Sequence, residues 1–450
     1  MRCKGFLPVI IFFATILLLC SQIQATKSRL LGMGDLSIVI EDESNMINLW
    51  DFARNPVGLL EDEEGSVVRS DMLSEVHDTK DIRSAPGQPL SSMIGEGEVL
   101  RSSLSAIYRK DDNFALGVEG SFFSRESEFE DEKYEAEYPE VLFAFCKRLN
   151  SQSLIGADIG YSENTLKTDY KMGQSSDKRF ENKRLQAHLG VGRELSEAVL
   201  LAALLGYDRN DVDADPYFFQ SNSYNYWFSI ESIVRLEQKI KLGLETKFNL
   251  RRKDFNPIRS GFENHYFTTL KLRGIYDLMD KLSLGIFYSH NELFSGYQYP
   301  LEWFSNPYYS EDFAVAHWSV GCSYKFGDNV LAGIEYHFRD FSEPRTYNYI
   351  SGYKHESFNL GVEGSISEAW SIRGGFIRTG TNINPVTGMG ERYQSTENIL
   401  TLGSGYQPYG SSLILEFSYQ YAFKEFEPWY GDLAREAKRH ILSISFKMAL

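Results

Sequence analysis

Cysteine is nearly missing from this chain. Four in 450 residues, at positions 3, 20, 146 and 322, are too few and too scattered for a disulfide scaffold. No apolar run reaches the ~20 residues that a bilayer-spanning helix needs, and the mean hydropathy is −0.32, which excludes a helical membrane protein. Positive charge is in deficit, 46 Lys+Arg against 62 Asp+Glu for a formal net charge of −16. A phosphate-binding surface needs a basic footprint, so nucleic acid is not an expected partner. No Gly-rich phosphate loop stands in a strand–helix context, and no Cys, His or carboxylate spacing completes a metal site, so no cofactor is expected.

What the chain has is 27 Tyr, 31 Phe and 36 Gly against only 13 Pro, a balance that favours β-structure. It opens with a basic pair, Arg2 and Lys4, then the apolar run 10–19, polar Ser21 and Gln22, and small Ala25. That order is a signal peptide over residues 1–25. The run is too short for an anchor helix, and Leu19 stands where a lipidated Cys20 would need a small predecessor. Export without a helical anchor leaves the periplasm, the exterior or an outer-membrane barrel.

From residue 97 the chain alternates with period two. Leu413, Leu415, Phe417, Tyr419, Tyr421 and Phe423 share one parity, and Ser412, Glu416, Ser418, Gln420 and Lys424 the other. Leu242, Leu244, Phe248 and Leu250 alternate with Glu245, Lys247, Asn249 and Arg251; Ala332, Ile334, Tyr336 and Phe338 with Glu335, His337 and Arg339. Successive strand side chains point to opposite faces, so each segment has an apolar and a polar side. Segments of ~10 residues, aromatics toward the segment ends, and alternating short and long connections favour a membrane barrel over a soluble sandwich.

Short turns at 110–113, 150–153, 194–198, 237–240, 277–281, 326–329, 367–370 and 407–411 give eight hairpins, and 440–450 adds a last strand. Seventeen strands conflict with the even count usual in such barrels. The strand 99–109 runs into a short turn, so another must precede it, and 66–76 is the candidate. The expectation is an all-β, antiparallel up-and-down transmembrane barrel of about 18 strands over residues 63–450. Sixteen or fourteen remain open if weak segments are loops. The segment 198–206 has no polar face and the least certain register.

Residues 31–60 do not alternate, and 26–62 read as a separate N-terminal segment. Ser44 or Asn45 caps a short expected helix through Ala53. Trp50, Phe52, Leu59 and Leu60 lie close together and need apolar cover, which a barrel mouth supplies. The run Gly32-Met33-Gly34-Asp35, the acidic stretch 41–43, Asn48, and Asn55-Pro56-Val57-Gly58-Leu59 resemble the opening of the FadL-like outer-membrane transport family. Val57 replaces that family's usual Ala, and the family is typically fourteen-stranded. The resemblance implies an N-terminal hatch inside the barrel, with Trp50, Phe52, Asn55, Pro56, Gly58 and Leu59 in it, and uptake of small hydrophobic molecules.

With the apolar parity facing lipid, Glu245, Lys247, Arg251, Lys271, Arg273, Glu335 and Arg339 face the lumen. Cross-strand pairs such as Glu245 with Arg273, or Arg339 near Glu363, brace the wall. The basic group Lys247, Arg251, Lys271 and Arg273 is the exception, able to meet acidic Glu41, Asp42, Glu43 and Asp51 of the hatch. The runs 126–137, 211–215 and 293–309 read as outer loops, acidic or aromatic. Asp211, Asp213 and Asp215 have calcium-loop spacing, but Pro216 stands where an EF-hand needs Gly.

The functional expectation is a passive pore or FadL-like transporter of small molecules in the outer membrane. Its expected partners are the solute, outer-membrane lipid and the barrel-assembly machinery. A non-transport surface-binding or secretion-accessory barrel is the alternative, and a barrel hydrolase around Ser289-His290-Asn291 a remote one. The chain is not expected to be an enzyme.

Overall fold

A computed structural model describes Met33, Leu36, Leu60 and residues 66–449, apart from 84–90, 129–131, 171–177, 197, 216–218, 237–238, 257–260, 299–307, 328, 343–351, 385–392 and 427–431. Eighteen strands, β1 (Val67–Arg83) to β18 (Asp432–Ala449), form one sheet in which every neighbour is antiparallel. β18 pairs back onto β1, Val67 opposite Ala449, so the sheet closes into a cylinder without free edges. The expected strand number and all eight short turns are therefore present. A barrel of this count is wide enough to leave a lumen.

Short polar side chains set the turns. At Asp111–Asn113 and Asn150–Gln152 the side-chain oxygen accepts the backbone N–H two residues on, at 2.8 and 2.9 Å. Ser196, Ser367 and Ser411 make the same bond to Ala198, Ala369 and Leu413. Such local bonds favour a tight turn over a continued ladder.

The burial pattern inverts that of a soluble globule. Phe143, Ile159, Leu205, Leu360 and Leu400 lie exposed on the outside, while Asp158, Glu231, Glu245, Glu335 and Glu416 are buried on the inside. On β10 (Gly261–Met279) the outer band runs from Tyr266 to Tyr276. Ten residues rise about 33 Å along a strand, or about 25 Å at a tilt near 40°, the height of a barrel's lipid-facing band. Tyrosines border the band above, where the tilted rings of Tyr207 and Tyr226 meet at 5.3 Å. Trp370 and Tyr406 border it below, at 4.4 Å. Above the upper tyrosines the outer face turns ionic, with Arg209–Asp211 at 3.0 Å and Arg252–Asp254 at 2.9 Å.

Strands are longer than expected, from 13 residues in β13 (Val330–Ser342) to 21 in β2 (Ser91–Asp111). Much of what reads as outer loop is continued wall. β3 (Phe114–Glu128) and β4 (Glu132–Asn150) take up most of the acidic run, and Lys133 bridges Glu126 and Glu135 there at 2.9 and 2.7 Å. Residues 211–215 end β7 (Val199–Asp215), and β11 (Leu282–Gln298) with β12 (Tyr308–Phe326) shortens the aromatic loop. Above the bilayer both faces are wet, so alternation vanishes although the ladder continues. β7 lacks a polar face for a different reason: Ala202 and Leu204 turn inward and pack with Trp227.

Candidate luminal site

The inner wall carries two polar networks. The first crosses β5 (Ser153–Tyr170), β6 (Lys178–Ser196), β7 and β8 (Phe219–Leu236). His188 Nδ1 lies 2.8 Å from Asp158, and its Nε2 lies 3.7 Å from Asp208. Asp208 also takes Arg184 at 3.0 Å and the Asn225 amide at 3.0 Å. Charges this deep persist only when paired and hydrogen-bonded. The His188 ring packs on Trp227 at 4.9 Å between centroids, and the Lys247 ammonium stands 3.8 Å from the indole centroid, a cation–π contact.

The second network lies on β12 to β17 (Leu413–Phe426). The Ser319 hydroxyl touches His317 Nε2 at 3.0 Å and His337 Nδ1 at 2.8 Å, and His337 Nε2 lies 3.1 Å from Glu335. Ser319 is fully buried, so this trio ties two strands together and presents no accessible nucleophile. Arg373 meets Glu363 at 3.4 Å and Glu416 at 2.8 Å.

All seven expected luminal charges, Glu245, Lys247, Arg251, Lys271, Arg273, Glu335 and Arg339, fall on the inward parity. Their partners differ from expectation. Glu245 sits directly opposite Lys271, bonded at 2.7 Å, whereas Arg273 stands across from Gly243. Arg339 is across from His355 on β14 (Gly352–Ser365), far up the strand from Glu363, which Arg373 takes instead. Parity fixes a residue's face but not its height. For the same reason the four basic residues form no ring. Lys247 rests on Trp227, Lys271 on Glu245, and Arg251 and Arg273 lie at other levels.

His317 and His337 do approach, at 6.0 Å between rings, as their neighbouring strands suggest. Ser289 and His290 project to opposite faces. Ser289 is buried on the inner parity, and His290 bonds Glu292 on the outside at 2.9 Å, so they form no nucleophile–base pair.

Against the first network a cavity of about 630 Å³ opens along β3 to β11. Gln186, Asn225, Trp227, Ser229, Asn249 and Thr269 line it together with the Lys271–Glu245 pair. His188, Asp208 and Trp227 belong to the site but are not singled out by the sequence argument. The alternation Leu185, Ala187, Leu189 against Gln186 and His188 is their visible signal.

Three described residues of the N-terminal segment touch the inner wall. Met33 and Leu36 have no exposed surface and pack with Leu331. A β-carbon added at inward-facing Gly361 would overlap the Met33 carbonyl, so the segment's backbone lies directly on β14 there. Leu60 packs into an apolar cluster with Ile107, Ala115, Leu142, Ala144, Cys146 and Leu154, and Arg109 donates to its carbonyl. The expected hatch residues Trp50, Phe52, Asn55, Pro56, Gly58 and Leu59, the expected helix and the acidic residues 41–43 and 51 lie outside the described residues.

No protein-family model and no curated protein matches the chain. Among solved structures it is similar to a Pseudomonas aeruginosa FadL homologue, at 12% identity over 96% of this chain and 100% of that one, with a TM-score of 0.41. BauA, the ferric preacinetobactin receptor from Acinetobacter baumannii, gives 12% identity over 86% and 80%, with a TM-score of 0.49. The Pseudomonas putida toluene transporter TodX gives 9% identity over 96% and 100%, with a TM-score of 0.36.

Proposed function

We propose that the chain is an outer-membrane channel for small solutes whose N-terminal segment closes the lumen. In this reading residues 1–25 are an export signal, 26–62 a hatch and 63–450 the wall, inserted into outer-membrane lipid by the barrel-assembly machinery. The chain acts as a pore rather than an enzyme. An apolar exterior about 25 Å tall supports the membrane location, and the resemblance of residues 32–35 and 55–59 to FadL-like transporters supports the hatch.

The observation that carries the reading is the seat of Met33 and Leu36 against Leu331 and Gly361 on the inner wall. A segment held inside the cylinder blocks passage until it moves. Deleting residues 31–60 should raise single-channel conductance in planar bilayers while the barrel stays folded. Unchanged conductance with a folded barrel would place the segment outside the permeation path. A surface-binding or secretion-accessory barrel would show no solute flux with or without the segment.

A further inference from the structure

The lining of the 630 Å³ cavity selects a class of solute, a step that rests on the channel reading above. We propose that this cavity is a binding subsite for neutral, polyhydroxylated solutes of mono- to disaccharide size, and not for the apolar molecules that the FadL-like resemblance implies.

Apolar solutes gain by replacing water against apolar surface. Here the wall offers little of it. Phe267, Trp227 and the polar His188 imidazole are the aromatic groups in the lining, and Trp227 is 7% exposed with Lys247 over its ring. An apolar molecule would instead strip water from Gln186, Asn225, Asn249, Asn291, Ser229 and Thr269 without replacing their hydrogen bonds, which costs free energy at each group.

Ionic solutes meet a different obstacle. The cationic groups facing the cavity are engaged, Lys271 with Glu245 at 2.7 Å, Arg184 with Asp208 at 3.0 Å and Lys247 with the indole. An anion would have to displace these partners and face Glu119, Glu140 and Glu231 as well. A cation would find Glu245 and Asp208 already held by Lys271 and Arg184, and would compete with those partners and with Lys247 for the carboxylates of the lining.

A hydroxyl both donates and accepts, so it can meet carboxamides, carboxylates and ammonium groups without breaking the ion pairs. The wall is rich in acceptors that suit O–H donors. Glu140 takes a long bond from Ser121 at 3.4 Å and lines the cavity, as do the carboxamide side chains of Asn225 and Asn249. The two amides sit on adjacent strands, with Asn249 directly opposite Trp227 and Asn225 one inward position above it. They therefore form one patch of wall. The volume lies within the range of small-molecule sites.

The test uses the full chain and the 31–60 deletion in planar bilayers, with sucrose, choline, glutamate and toluene as probes. Sucrose should interrupt the ion current of the deletion variant saturably. The double substitution Asn225→Leu, Asn249→Leu should raise its half-blocking concentration about tenfold. Asn249→Ser alone, which retains a hydrogen-bonding group, should shift it less; it also serves if the double variant does not assemble. A current that toluene, choline or glutamate blocks in preference to sucrose overturns the solute class and leaves the channel reading standing. Sucrose block indifferent to the Asn substitutions overturns the location. Absence of current from both proteins removes the channel reading and this proposal with it.

Discussion

Arg373 on β15 (Trp370–Asn384) reaches Glu416 on β17 at 2.8 Å by passing over β16 (Tyr393–Tyr406), a strand that lies between them. The crossing is possible because the inward position beneath it is Gly405, opposite both Ser371 and Glu416. A β-carbon at Gly405 would stand 2.7 Å from the guanidinium nitrogen. Both charged side chains are almost fully covered, 4% and 3% exposed. Arg373→Met should therefore cost about 3–5 kcal/mol, because it leaves a buried carboxylate without its cation. Gly405→Leu should weaken the barrel in the same direction. Urea titration of the folded barrel, followed by its heat-modifiable gel mobility, reads both effects. Indifference to both substitutions would mean that the pair does not brace the wall.

The lipid-facing assignment is tested at Leu360, which is 47% exposed on β14 opposite Ile334 and Phe376. Leu360→Arg places a charge in hydrocarbon and should cost about 2–4 kcal/mol of barrel stability. The same change at Tyr409, in the wide turn between β16 and β17, should stay within about 0.5 kcal/mol, as is usual at an exposed turn. Equal losses in assembled protein from outer-membrane fractions would argue that Leu360 does not face lipid.

Gly361→Leu tests the hatch without removing any residue. The new side chain collides with the Met33 backbone, which cannot rotate away as a side chain would. The N-terminal segment should lift from β14, and conductance should rise toward that of the 31–60 deletion. Far-ultraviolet circular dichroism should show an intact barrel. Conductance equal to that of the unaltered protein would mean that the Met33 contact does not hold the channel shut.

Much of the architecture is legible because a bilayer enforces it. Wherever a strand crosses lipid, one face must be apolar, and Leu242, Leu244, Phe248 and Leu250 announce the crossing by themselves. The turns are equally readable, since Asp111, Asn150, Ser196, Ser367 and Ser411 each supply a local acceptor for the backbone. Above the lipid the constraint lapses. Inward Asp208 and Asn210 alternate with outward Arg209 and Asp211, and nothing in that polar run separates wall from loop. Partner choice is hidden for another reason. Glu245 sees Lys271 and Arg273 on the same parity of the next strand, and only the register chooses between them. The luminal site is the least legible part. His188 and Trp227 come from strands separated by β7, whose inner positions Ala202 and Leu204 are apolar, and their meeting depends on how β6, β7 and β8 stack.

The seam between β1 and β18 has a temporal meaning. Ser445 donates to Asp71 across 374 residues of sequence, and until that bond can form every strand laid down belongs to an open sheet. An open sheet has two unsatisfied borders, and in lipid neither can borrow water. The pairing of β1 with β18 is thus the one that turns the sheet into a cylinder. The cylinder cannot be finished piecemeal, and a chain stopped short of residue 432 is left with two raw borders for other strands to seize.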